Sequence, residues 1–195
     1  MTGEIAALGT ALCWAFTGLF FAEAARRVGA MAVNLFRLPL ALVLLSASLV
    51  VTGTSLATLD GTRTALLAAS GLVGLTIGDL ALFAALVRIG PRLASLLMAL
   101  APVFATWAGV PLLGERPGGR ALLGMAVPLA GVVWVVVERR AGEDRVRGHR
   151  RAVALGVIAA ACQGFGLVLA KMGMAGEVPP LAATWVRMGR SEELT

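Results

Sequence analysis

The chain has 195 residues, 58% of them hydrophobic and only 14% charged, with a mean hydropathy of +0.87. Soluble domains carry nearer ~25% charged residues, so this composition excludes an ordinary soluble enzyme or binding module and points to lipid as the surrounding medium. The formal charge of +6 does not indicate a nucleic-acid binder. The basic residues lie between apolar runs rather than in one patch with aromatics, where they orient helices and meet lipid headgroups.

Six apolar runs follow one another: Glu4–Ala22, Met31–Val51, Ala65–Val87, Leu93–Leu113, Arg120–Val137 and Ala152–Ala170. An α-helix needs ~20 residues to cross the hydrocarbon of a bilayer, and each run has about that length. The fold class read from this pattern is all-α, a polytopic transmembrane helix bundle. The first run is longer than the apolar core of a secretory signal and lacks a basic segment before it. It is read as a retained helix although Ala22-Glu23-Ala24 faintly resembles a cleavage site.

Short turn-forming connections separate the runs: Arg26–Gly29, Gly53–Gly61, Arg88–Arg92 and Gly114–Gly119. The longest polar stretch, Glu138–Arg151, divides the chain into a first unit (1–137), a basic linker (138–151) and the start of a second unit (152–195). Leu155-Gly156 echoes Leu8-Gly9, and AATWVRMGR around Arg187 echoes AVNLFRLPL around Arg37, 150 residues earlier. About ten residues of a second helix follow in the second unit, too few to span a bilayer. The expectation is therefore a fragment, a truncated gene product, or a last segment lying at the membrane surface.

Ten arginines (Arg26, Arg27, Arg88, Arg92, Arg139, Arg140, Arg145, Arg147, Arg150, Arg151) fall on the side reached after the first helix. Four basic residues (Arg63, Arg116, Arg120, Lys171) fall on the other. The positive-inside rule then places the N-terminus outside. Labelling from the outside of a cysteine put in place of Arg140 would reverse that orientation.

Two charges lie inside apolar runs. Arg37 is about seven residues into the second helix, and Asp79 about eight residues before the end of the third. In antiparallel helices both then sit roughly 10–12 Å from the same membrane face. A lone charge at the centre of a helix costs ~2.5–3.5 kcal/mol on insertion scales, so each is expected to face inward and find a partner. One reading has both lining a cavity in which Asp79 carries a proton; the plainer one has Arg37 reaching headgroups or the pair acting as an architectural tie.

Trp14 and Trp107 fall near the middle of the first and fourth helices, away from the interface where tryptophan usually sits, so each is either a packing or a cavity residue. Gln163, mid-way along the sixth, links helices or faces a cavity. Pro39, Pro102 and Pro128 each interrupt a helix and free carbonyl groups, a device found at transporter sites and also in plain packing. Ser70, Gly74 and Gly78 give the third helix a smooth face for close approach. Glu115 is read as a solvated turn residue paired with Arg116. Cys13 and Cys162 are packing residues, His149 is a loop residue, and no metal, cofactor or catalytic set is read from the sequence.

The stretch from Leu72 to Val136 resembles the EamA-type transporters of the drug/metabolite transporter superfamily. It combines a small-residue-rich third helix, a proline in the fourth, Leu113-Gly114-Glu115 at its end and a glycine-rich fifth. Ala11–Ala15 with Trp14, and Phe36-Arg37, are similar to family positions too. The resemblance implies two inverted five-helix repeats, here one complete and one incomplete, moving a small metabolite or drug by alternating access. The neighbourhoods of Trp14, Arg37, Asp79 and Pro102 would line its cavity. Family members are described with both termini in the cytoplasm, against the arginine count.

The function expected is thus that of a multi-pass cell-membrane transporter, an exporter of amino-acid-like or amphipathic metabolites coupled to protons. Substrate-binding residues are Trp14, Arg37, Asp79, Pro102 and Gln163. The partners expected are the lipid bilayer and a small-molecule substrate, with a second copy or complementing half to rebuild the cavity, and no nucleic acid. The alternatives are a non-transporting remnant and a lipid-modifying intramembrane enzyme; the second lacks any nucleophile–base pair or phosphate-binding motif.

Overall fold

The computed structural model describes residues 2–56, 59–140, 146–176 and 178–192. Arg145, part of the linker and the last three residues of the chain lie outside them. The described residues form helices α1 (Thr2–Val28), α2 (Ala30–Thr52), α3 (Gly61–Gly71), α4 (Asp79–Met98), α5 (Ala101–Leu113), α6 (Gly119–Arg140), α7 (Val146–Gly173) and α8 (Pro180–Glu192). A π-helical segment, Leu72–Gly78, joins α3 to α4 without a break. The protein is a polytopic helical bundle. Leu8–Val28, Met31–Thr52, Gly61–Met98 and Arg150–Gly173 are each long and apolar enough to cross a membrane, and Ala101–Leu113 and Gly119–Val135 are shorter apolar helices.

The ends of these helices follow from local chemistry. Gly29 and Gly53 take positive φ, 89° and 63°, which a side chain at Cβ would disfavour, and they stop α1 and α2. The Asp60 carboxylate accepts from the Arg63 backbone N–H at 2.7 Å and caps α3. Gly90, at φ 78° and ψ 163°, breaks the helical path inside α4 next to Pro91.

One expectation is corrected here. Leu93–Leu113 is not a single spanning helix, because the chain loosens into a turn at Ala99–Leu100 before α5 begins. Pro102 has no N–H, and its ring excludes the carbonyl four residues back, so regular bonding fails one turn upstream. Pro102 therefore opens α5 rather than interrupting it, while Pro39 and Pro128 do lie inside α2 and α6.

Helix α7 runs along α3, the π segment, α4 and α5, and α8 packs on α2 and α3. The smooth face of Ser70, Gly74 and Gly78 meets α7. A Cβ added to Gly166 would lie 3.1 Å from the Gly74 Cα, and one added to Gly78 would lie 3.1 Å from the Cys162 Cβ. At this crossing Ser70 Oγ donates to the Gly166 carbonyl at 2.6 Å. Ser70→Ala is expected to lower stability by about 0.6 kcal/mol, the mean for a side-chain bond between membrane helices, measured by denaturant titration in micelles. A loss above about 2 kcal/mol would mean that more than this bond had gone.

Alanines, leucines and one phenylalanine fill the centre, among them Ala22, Ala25, Leu82, Phe83, Ala85, Leu86 and Ala159. Large apolar side chains cover the outside, including Phe20, Phe36, Val43, Leu123 and Val127. In water that surface would drive aggregation; in hydrocarbon it costs nothing. Its extent is the structural counterpart of the hydropathy.

Candidate functional site

A cavity of about 860 Å³ opens between α1, α2, α4, α5, α7 and α8. Its polar floor is built around Asp79, the first residue of α4. The π segment just before it has a wider turn than an α-helix, which alters the rotation at which the following residues emerge. The Asp79 side chain is 6% exposed and forms a salt bridge with Arg37, which is 23% exposed.

Three elements converge on this carboxylate. From α2, the Arg37 Nη2 donates to Asp79 Oδ2 and also to Asn34 Oδ1, the latter at 3.1 Å. From α7, Gln163 Nε2 donates to Asp79 Oδ1 at 3.0 Å. From α8, Arg187 reaches the same wall. Gly74 in the π segment leaves room beneath these groups, since an added Cβ would lie 3.7 Å from both Arg187 Nη2 and Gln163 Oε1.

Aromatic rings complete the arginine's surroundings. The Arg37 Cζ lies 5.8 Å from the Phe21 ring centroid and 5.6 Å from that of Phe83, within cation–π range. The two rings meet edge to face at 5.4 Å. Charge, hydrogen bonds and π-faces therefore hold one guanidinium in place, which lowers the cost of keeping it away from water.

All five residues singled out from the sequence, Trp14, Arg37, Asp79, Pro102 and Gln163, stand on the wall of this cavity. Trp107 does not. Its indole is 71% exposed on the outside of the bundle and meets Phe165 edge-on at 6.1 Å. Sequence reasoning left out Arg187, Phe21, Phe83 and Asn34. The 150-residue echo of Arg37 carried the signal for Arg187, whereas nothing in the sequence separates Phe21 and Phe83 from lipid-facing aromatics.

Away from the cavity, Glu115 pairs with Lys171 of α7 rather than with the adjacent Arg116. Gly114 takes φ 65° and turns the chain so that the carboxylate points back over the bundle. With Lys171 63% and Glu115 39% exposed, water screens this pair strongly, and its worth is about 0–1 kcal/mol.

No curated protein and no solved structure matches the chain. The model of the EamA-like transporter family matches residues 1–137, which hold α1 to α5 and most of α6 together with four of the five expected cavity residues. An all-helical membrane bundle around a central cavity agrees with that match, and the chain belongs to the EamA-like transporter family of membrane proteins.

Proposed function

We propose that this protein is a multi-pass plasma-membrane transporter that exports small amphipathic metabolites by alternating access through the central cavity, with Asp79 carrying the coupled proton. The observation that supports this most is the carboxylate itself. Asp79 stands at membrane depth on a cavity wall, bonded to groups from two other helices. Intramembrane charges in such positions mark substrate or ion pathways.

The local backbone favours a moving part. The short helical piece Pro91–Met98 lies between the Gly90 break and the Ala99–Leu100 turn, and it carries Ser95 and Met98 on the cavity wall. Elements that absorb conformational change are bounded by such breaks. Among the described residues no nucleophile–base arrangement accompanies the cavity, so transport accounts for it better than chemistry does.

The test compares metabolites retained by cells with and without the gene. Cells lacking it are expected to accumulate at least one small amphipathic compound. Asp79→Asn, which keeps the shape of the side chain and removes its charge, is expected to abolish the dependence of export on an imposed pH gradient. Unchanged gradient dependence in that variant eliminates the proton-carrier role, and unchanged metabolite pools in the deletion strain eliminate transport.

A further inference from the structure

We infer that an anionic phospholipid binds in a cleft between α4 and α7, on the arginine-rich side of the bundle and apart from the central cavity. The cleft is lined by Arg88 of α4 and by Arg151, Ala154, Leu155 and Ile158 of α7. The cavity wall shares none of these residues.

Spacing on α7 builds the cleft. Positions 151, 154, 155 and 158 follow i, i+3, i+4 and i+7, so they share one face of the helix. The opposite face, with Ala152, Gly156, Ala159 and Ala160, is buried in the bundle. The outward face therefore starts at a guanidinium and continues toward the membrane centre as an apolar strip, with Ile158 48% exposed at its end.

Depth decides what meets that face. The bond between Gln163 and Asp79 sets a common level for α7 and α4. At ~1.5 Å per residue, Arg88 stands ~13 Å and Arg151 ~18 Å from that level, toward the same end of the bundle. Asp79 lies roughly 10–12 Å from the membrane face by the same rise, so both arginines reach the headgroup layer, ~5–7 Å thick. The Arg88 Nη1 donates to the Ala84 carbonyl at 2.9 Å. That bond draws its guanidinium inward, to where headgroups give way to acyl chains.

Two guanidiniums at one cleft attract an anion, and the acid described at this end of the bundle is engaged elsewhere: Glu23 pairs with Arg27 on α1. A lipid phosphate diester carries a negative charge and oxygens that accept the parallel donors of a guanidinium. Its acyl chain then lies along Ala154 and Ile158, a surface for which a free phosphate has no counterpart. Basic pockets between membrane helices hold anionic headgroups in this way. Phosphatidylcholine brings an ammonium of its own to the two cations and gains less.

Native mass spectrometry tests the site, with the full chain released from micelles containing phosphatidylglycerol or phosphatidylcholine of identical chains. Phosphatidylglycerol is expected to be held roughly ten-fold more tightly or better. Arg88→Gln/Arg151→Gln is expected to bring the two lipids close to equal retention. Arg26→Gln/Arg27→Gln, which removes as many arginines at the same end but outside the cleft, is expected to leave the preference unchanged. Ile158→Trp, which fills the apolar strip and keeps both charges, is expected to weaken phosphatidylglycerol several-fold. Glycerophosphoglycerol, the same headgroup without chains, is expected not to displace the lipid. Equal retention of the two lipids overturns the inference, as does a preference that survives loss of both cleft arginines or falls as far without Arg26 and Arg27. Unchanged binding in Ile158→Trp, or displacement by the soluble headgroup, removes the lipid as occupant. Should the cleft double variant not fold, the lipid comparison, Ile158→Trp and the competition decide.

Discussion

Arg37→Leu is expected to destabilise the protein by about 3 kcal/mol, the low end of the ~3–5 kcal/mol seen when one partner of a buried ion pair is removed. The change takes from Asp79, 6% exposed, the guanidinium it is paired with and leaves its bond from Gln163 in place. It also removes a cation that lies beside both Phe21 and Phe83. The low end applies because a partly unfolded chain in lipid also finds partners for its polar groups. The double variant Arg37→Leu/Asp79→Leu should regain most of the loss, since apolar replacement of a whole buried pair is often neutral. Unfolding titrations of the wild type, both single variants and the double variant measure this. A double variant no more stable than Arg37→Leu alone would show that the lost stability does not come from a stranded carboxylate.

The second large effect is steric. A Cβ on Gly164 would lie 2.7 Å from the Ala101 carbonyl oxygen, the Ala105 nitrogen and the Phe104 Cβ. Two of these are backbone atoms of α5, so no rotamer change relieves the overlap. Gly164→Ala is expected to cost about 3 kcal/mol, the upper part of the range for overpacking, and Gly164→Leu to prevent assembly. Because α5 carries Pro102, Ala105 and Thr106 on the cavity wall, transport should fall in the alanine variant even where protein remains folded. Gly124 and Gly131 on α6 have nothing within 4 Å of an added Cβ. Gly124→Ala and Gly131→Ala should shift stability by less than about 0.5 kcal/mol. Thermal stability and transport of the three alanine variants, compared side by side, check the contrast; an equal loss in all three would contradict it.

The two effects share a cause. Close approach of α7 to α3 and α5 depends on glycine, and that approach brings Gln163 to Asp79. Stability and cavity geometry are therefore coupled through the same few small residues. The exposed Glu115–Lys171 bridge lies outside this coupling, at the edge of the bundle, where loss of either charge should matter little.

Much of the cavity wall is legible in the sequence. Hydropathy over ~20 residues is a local property fixed by the thickness of the bilayer, so helix content and the membrane environment follow from composition alone. Helix rise is constant as well, which is why counting residues put Arg37 and Asp79 at one depth. The high cost of a lone charge in lipid then made them natural partners. Smooth faces are equally legible, and Ser70, Gly74 and Gly78 do meet another helix closely.

What only the tertiary structure decided is which way each helix turns and which neighbour it meets. Trp14 and Trp107 look alike in sequence, yet one faces the cavity and the other faces outward, because helix rotation is fixed by packing partners far along the chain. Arg187 joins the site only because α8 folds back onto α2 and α3. Glu115 chose Lys171 over its adjacent arginine for the same reason, since a turn at Gly114 and the position of α7 outweigh sequence proximity. The break at Ala99–Leu100 divided a run that hydropathy counts as continuous, because a missing proline N–H leaves no trace in apolar character. Hydrophobicity set the medium and the depth of each group; long-range packing set the direction in which it points.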